Sequence, residues 1–234
     1  MLRKIFNYFG YSLNKFKKSN EINDIIKLRL KNNPCSLLLD VGANKGDFTN
    51  NFIDEFQKIL LFEPNKYLIK NLEERFEKEN KIQILNQGID KINEIKKFYL
   101  TNDTGQTLGS IKEQTQLMQD NLKNSKIIDE IDVNFTRLDN FLNTSDQEKI
   151  FLKTDTQGNE LEVLQSLGKY IKNTHFIKCE MPVMNLYKIN YSFWDILEFL
   201  KKFNFTPVFF ENGLRDMNGN LIEFDILFEK KYKI

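Results

Sequence analysis

The sequence of 234 residues contains only two cysteines, Cys35 and Cys179, far apart and outside any paired spacing. That excludes a disulfide framework and a paired-thiol zinc site, and makes a reducing compartment the expectation. Histidine occurs once, at His175, and no grouping of His, Cys and carboxylates has metal-ligand spacing, so no metal is expected. Charge of one sign is also lacking. The formal net charge is +1, which gives no global signal for a polyanionic partner. No apolar run reaches the roughly 18–20 residues that a spanning helix needs. Near the start, Asn7, Gly10, Ser12 and Asn14 interrupt what would be the apolar stretch of a secretory leader. A cytoplasmic protein is expected. What is present is a hydrophobic fraction of 41% with 21 Phe, enough for one domain with a sizeable core.

The chain divides into an N-terminal helical extension over 1–35 and a domain over 36–234. The first 33 residues carry eight basic side chains against two acidic ones. Ile5, Phe6, Phe9, Leu13 and Phe16 form one apolar helical face there. A helix packed on the domain with its basic face in solvent is expected, and a membrane-surface or anionic-partner contact is the alternative. From Cys35 onward strands and helices alternate. Strands are predicted over 36–41, 58–63 and 81–86, with helices over 48–56 and 65–78 between them. This order argues a parallel sheet covered on both faces. Extended segments at 95–101 and 130–136 flank a polar connection over 102–125, long enough to be functional. The alternation resumes with a strand at 150–154, a helix at 159–167, a strand at 175–180 and a helix at 193–203. Strands at 205–210 and 221–228 form an antiparallel edge pair. The fold class is α/β and Rossmann-like, a mostly parallel seven-stranded sheet with that edge pair.

The stretch LLLDVGANKG at 37–46 is an apolar strand ending in an acid and a glycine turn, the place where an α/β sheet binds a nucleotide-like cofactor. A dinucleotide fingerprint would need three glycines; here Gly42, Asn44 and Asp47 occupy the aligned positions, and Asp47 would oppose a pyrophosphate. S-adenosylmethionine has no phosphate and carries an ammonium, a carboxylate and a sulfonium. Asp40 is expected near its cationic end, with Gly42, Asn44 and Gly46 admitting it against the backbone. Glu63 ends the second strand, 21 residues after Gly42, where a carboxylate accepts hydrogen bonds from ribose hydroxyls. Asn86, Gln87, Gly88 and Asp90 close the third strand and are expected to flank the adenine, with Gln87 or Asp90 reading its polar edge.

A second stretch, FLKTDTQGNELEVL at 151–164, joins a strand, an acid, a glycine turn and an amphipathic helix, and Asn159 with Glu162 has the spacing of a capping box. Together with LDVGANKG at 39–46, FEP at 62–64 and IKCE at 177–180, it resembles the FkbM family of S-adenosylmethionine-dependent methyltransferases over about 36–228. Many members read Asp-Val-Glu-Gly where this chain has Asp155, Thr156, Gln157 and Gly158, so Gln157 replaces an acid. The resemblance implies a class I methyltransferase fold and methyl transfer, usually to a hydroxyl oxygen on a sugar or secondary metabolite. It implies cofactor contacts around Gly42, Asn44, Gly46 and Glu63, and places Asp155, Gly158, Glu160 and Glu180 at the carboxyl end of the sheet, facing the methyl group.

An alcohol must lose its proton on methylation, and a nearby base assists. Asp155 is the leading candidate, against a purely capping or cofactor-positioning role, and Glu180 is the second. His175 precedes its strand and falls on the wrong side of the sheet. Lys153 is expected as a salt-bridge partner. Tyr191, Phe193 and Trp194 fit a core-packed helix start better than a sugar platform. The segment 104–110 is the candidate acceptor loop, with glycines that can hinge it. The function expected is O-methylation of a carbohydrate, glycolipid precursor or secondary metabolite, with a small-molecule or glycan acceptor and no nucleic acid. The alternatives are N-methylation, or a non-catalytic adenosylmethionine-binding protein.

Overall fold

The computed structural model describes residues 21–103, 105–122, 124–143 and 148–231. The apolar face expected over 5–16 therefore lies outside the described residues. Helix α1 (Glu21–Asn32) precedes β1 (Leu37–Val41), α2 (Asp47–Phe52), β2 (Lys58–Phe62), α3 (Lys66–Arg75) and β3 (Ile82–Leu85). Next come β4 (Gly88–Ile89), β5 (Glu94–Thr101), α4 (Gln116–Asn121) and β6 (Ile127–Thr136). The chain continues through β7 (Ile150–Thr154), α5 (Glu160–Ser166), β8 (Thr174–Pro182), α6 (Phe193–Lys202), β9 (Phe205–Phe210), β10 (Leu214–Arg215) and β11 (Leu221–Lys230).

Among the described residues the main sheet has eight strands, in the order β10-β11-β8-β7-β1-β2-β3, with β9 also on β11. Strands β3, β2, β1, β7 and β8 run parallel, and β11 is antiparallel to β8, β9 and β10. The antiparallel pair expected at 205–210 and 221–228 is thus present, and the two-residue strand β10 brings the count to eight instead of seven.

Strand β1 is buried along its whole length, and its alternation feeds two cores. Leu37, Leu39 and Val41 enter the core beneath α5 and α6. Leu38 enters the opposite core with Phe52, Phe56, Ile59 and Phe151. Helix α1 adds Ile22, Ile26 and Leu30 to this second core, and Arg29 pairs with Glu229 of β11 at 2.8 Å.

The extended segments at 95–101 and 130–136 do not join the main sheet. With β4 they form a separate three-stranded sheet, β4-β6-β5, closed by Phe98, Leu100, Ile131, Val133 and Phe135. The long connection between β5 and β6 carries α4 and lies across the carboxyl ends of the parallel strands. At α5 the expected capping box does not form. Asn159 makes no cap bond: its side-chain amide donates to the Ile89 carbonyl at 2.9 Å, and its Oδ1, the atom a cap would use, is buried without a partner. A capping box forms at α6, between Ser192 and Asp195.

Candidate active site

A cavity of about 260 Å³ opens at the carboxyl ends of β1, β2, β7 and β8. Four carboxyl groups line it, those of Glu63, Asp155, Glu180 and Glu223, and no Lys, Arg or His is among its lining residues. At one end, Glu63 closes β2. Its Oε2 accepts from the Asn44 backbone N–H at 2.7 Å and its Oε1 from the Asn65 N–H at 2.8 Å, which fixes the carboxylate while leaving each oxygen able to accept once more. Burial pushes the Glu63 carboxyl up to about 7, against the pull of those two N–H groups and of Lys153. Gln87 lines the same end, and its side-chain oxygen is buried with no partner.

At the other end, Asp155 leaves β7 and Glu180 stands near the end of β8. Gln157, buried and held at φ 56°, bridges them. Its Nε2 donates to Asp155 Oδ1 at 3.2 Å and to Glu180 Oε2 at 2.9 Å. Asp155 keeps 37% of its side-chain surface open and lies 3.7 Å from the Lys153 ammonium. Burial favours its neutral form, but Lys153, Lys178 and the Gln157 amide outweigh this and hold the carboxyl below its ordinary value. Glu180 is driven the other way, well above the ordinary value, by burial and then by Asp155, Glu223, Glu160 and Asp225.

The loop over 105–111 covers both ends. The Asn44 amide donates to the Gln106 carbonyl at 2.7 Å, and the Asn65 amide donates to its side-chain oxygen at 3.1 Å. Ser110 Oγ donates to the Gln157 carbonyl at 2.6 Å. The segment expected to hold an acceptor thus also contacts the Glu63 end; Thr104 lies outside the described residues.

The model of the FkbM methyltransferase domain matches residues 40–207. The chain belongs to the FkbM methyltransferase family. No curated protein sequence matches it. Among solved structures it is similar to an rRNA methylase from Streptococcus thermophilus, at 11% identity over 93% of this chain and 99% of that one, with a TM-score of 0.51. It is also similar to the Geobacter metallireducens precorrin-6y C5,15-methyltransferase, at 10% identity over 94% and 93% of the two chains, with a TM-score of 0.49. A third is the Burkholderia thailandensis 1,6-didemethyltoxoflavin-N1-methyltransferase, solved with its substrate and S-adenosylhomocysteine, at 10% identity over 92% and 80%, with a TM-score of 0.48. At such identities a likeness bears on fold alone, and the first of these supports the class I methyltransferase architecture.

The methyl donor of this FkbM methyltransferase is S-adenosylmethionine, and the cavity suits it. A lining with four carboxyl groups and no basic side chain favours a ligand carrying a sulfonium and an ammonium and disfavours a pyrophosphate. The unpartnered oxygen of Gln87 matches an amino donor such as that of adenine, and the spare lone pairs of Glu63 match ribose hydroxyls.

Of the cofactor residues expected, Gly42, Asn44, Glu63, Gln87 and Gly88 line the cavity. Asp40 and Gly46 do not. Asp40 is 0% exposed on the opposite face of β1, where it accepts from Thr49 of α2 at 2.7 Å and faces Lys153 at 3.4 Å. A Cβ on Gly46 would strike Phe76 and Leu72 of the α3 region, and one on Gly42 would fall on the Asp155 carbonyl. Both glycines therefore serve contact between chain segments, and Gly42 lines the cavity as well. Asp90 is also turned away, buried and paired with Lys96 at 2.7 Å.

Both candidate reaction residues, Asp155 and Glu180, share the cavity. Glu160, which the resemblance places facing the methyl, is instead absorbed by its own turn. It accepts from the Thr156 and Gly158 N–H groups and from the Tyr191 hydroxyl. Lys153 is the salt-bridge partner expected, joining Asp40 and Asp155. Trp194 is 64% exposed instead of core-packed, and it does not line the cavity. Glu223 and Tyr187 were not singled out by sequence. They arrive from β11 and from the loop after β8, and no local motif marks them.

Proposed function

We propose that this FkbM methyltransferase methylates a hydroxyl oxygen on a carbohydrate, a glycolipid precursor or a secondary metabolite, with Asp155 as the general base. The observation that carries this reading is the placement of Asp155 in the cavity that also holds Glu63, beside Lys153 and with no cation exposed to the cavity. Bound adenosylmethionine supplies an activated methyl group, whose C–S electron pair leaves with the sulfur. The chain aligns the acceptor, excludes water beneath the loop over 105–111, and receives the hydroxyl proton on Asp155 as the new O–C bond forms. Glu180, whose burial among acids favours its neutral form, is the hydrogen-bond donor to a polyol oxygen in this reading.

The acidic lining supports a neutral acceptor over a nucleic-acid backbone, since phosphates entering here meet four carboxyl groups and no counter-charge. The same lining also suits an amine that arrives as its ammonium and gives a proton to Asp155 before its freed lone pair attacks the methyl group, so N-methylation is the second reading. A panel of alcohols and amines, assayed for methyl transfer, separates the two. Asp155→Asn is expected to lose turnover by roughly 10²–10⁴-fold, with adenosylmethionine affinity by calorimetry within a few-fold of the parent. Near-normal turnover in that variant would remove Asp155 as the base.

A further inference from the structure

We propose that Gln157 is a positioning residue that holds Asp155 and Glu180 as a pair bearing one negative charge, located on Asp155. This rests on the reading of Asp155 as the base. The Gln157 side chain is gripped from both ends. Its oxygen accepts from the Tyr187 hydroxyl at 2.9 Å, while its amide donates one hydrogen to each carboxyl group, at 3.2 Å and 2.9 Å. The reverse amide orientation would set an oxygen against the ionised Asp155 carboxylate. The backbone is fixed as well, because Ser110 of the covering loop donates to the Gln157 carbonyl at 2.6 Å. The left-handed φ of 56° costs energy in a non-glycine residue, and here it aims the side chain between β7 and β8.

The chemistry of the position follows from its neutrality. A carboxylate at 157 would be a third acid within hydrogen-bond distance of two others, and the cluster would have to take up another proton. The charge around the pair comes from Lys153 of β7, Lys178 of β8, Glu160 of α5, and Glu223 and Asp225 of β11, and the covering loop adds none. The two lysines favour a charge on Asp155. Glu223, Glu160 and Asp225 raise Glu180 and favour the proton there. Gln157 adds a donor to both without adding charge, so Asp155 is left ionised and ready to accept the acceptor's proton.

The test is a ¹³C-carboxyl NMR titration of the full-length protein labelled at Asp and Glu, with Asp155→Asn and Glu180→Gln used for assignment. The parent is expected to show Asp155 ionised and Glu180 protonated at neutral pH. Gln157→Glu is expected to raise the Asp155 midpoint by roughly one pH unit or more. Gln157→Leu, which removes the donor without adding charge, shifts it the same way by less. Tyr187→Phe, which frees the amide, is a milder variant should either of these fail to fold. An Asp155 midpoint unmoved in the folded variants, checked by adenosylmethionine calorimetry, overturns the inference. The base reading is judged separately, by turnover of Asp155→Asn: an inactive Asp155→Asn beside an unmoved midpoint leaves the base standing and removes Gln157 alone.

Discussion

Glu63 shows what one buried carboxyl can report. Without ligand its carboxyl takes up a proton as pH falls through about 7, because burial disfavours the charge. With Glu63 as the proposed ribose partner, ribose hydroxyls are expected to donate to the ionised form, so binding favours it and expels that proton. Adenosylmethionine affinity is therefore full above pH 7 and weakens below it, by up to tenfold per unit. Calorimetry across about pH 5.5–8.5 in two buffers of different ionisation enthalpy measures both the slope and the proton released, and Glu63→Gln flattens the profile. For the ligand-free fold the sign is opposite. The unfolded chain holds fewer protons between the ordinary 4.5 and about 7, so Glu63 contributes less stability as pH rises through that window. Glu63 was legible because its distance from Gly42 along the chain fixes its distance in space across β1 and β2. Asp40 was misread because strand alternation says that neighbours part, not which face meets α2. Glu223 and Tyr187 were illegible because antiparallel register and a loop path, not a local pattern, bring the first to the cavity and the second against Gln157.

At the scale of elements, the two glycine turns of the sequence are one structure. The turn after β1 and the turn after β7 touch at Gly42, where the Asp155 carbonyl occupies the place of a side chain, and Lys153 donates to the Gly42 carbonyl at 2.6 Å. Gly42→Ala is expected to cost about 1–3 kcal/mol, from its φ of 73° and from the displaced Asp155 backbone. Urea unfolding measures the loss, and turnover falls further than stability alone accounts for because Asp155 moves. The parallel strands and their helices were readable from apolar runs and their spacing. The separate sheet was not, because β4 is only Gly88–Ile89, too short for any periodicity to register. The covering loop was recognisable as long and polar. Its grip on Asn44 and Asn65 depends on where it lands, which polarity does not encode.

At the scale of the whole molecule, the fold closes on itself from its two described ends. Helix α1 packs under β9 and β11, and the Arg29–Glu229 pair spans 200 positions of sequence. Ile26 is fully buried in that contact, and Ile26→Ala is expected to cost about 2–5 kcal/mol, read as a lower denaturation midpoint with adenosylmethionine affinity unchanged, since α1 is remote from the cavity. Helix α1 falls within the segment read as helical, but its buried face, Ile22, Ile26 and Leu30, is not the one the sequence pattern picked out; the face over 5–16 lies outside the described residues. Among the described residues no helix is long and apolar enough to cross a membrane. The sheet order has a further consequence for synthesis. Strand β1 lies between β2 and β7, yet β7 begins at Ile150, so one edge of the most buried strand must wait for it. At a ribosomal rate of about 5–20 residues per second that interval is roughly 5–20 s. Nascent chains stalled before β7 therefore carry an unpaired Leu37–Val41 edge, the segment a chaperone must shield and the first from which this protein would aggregate.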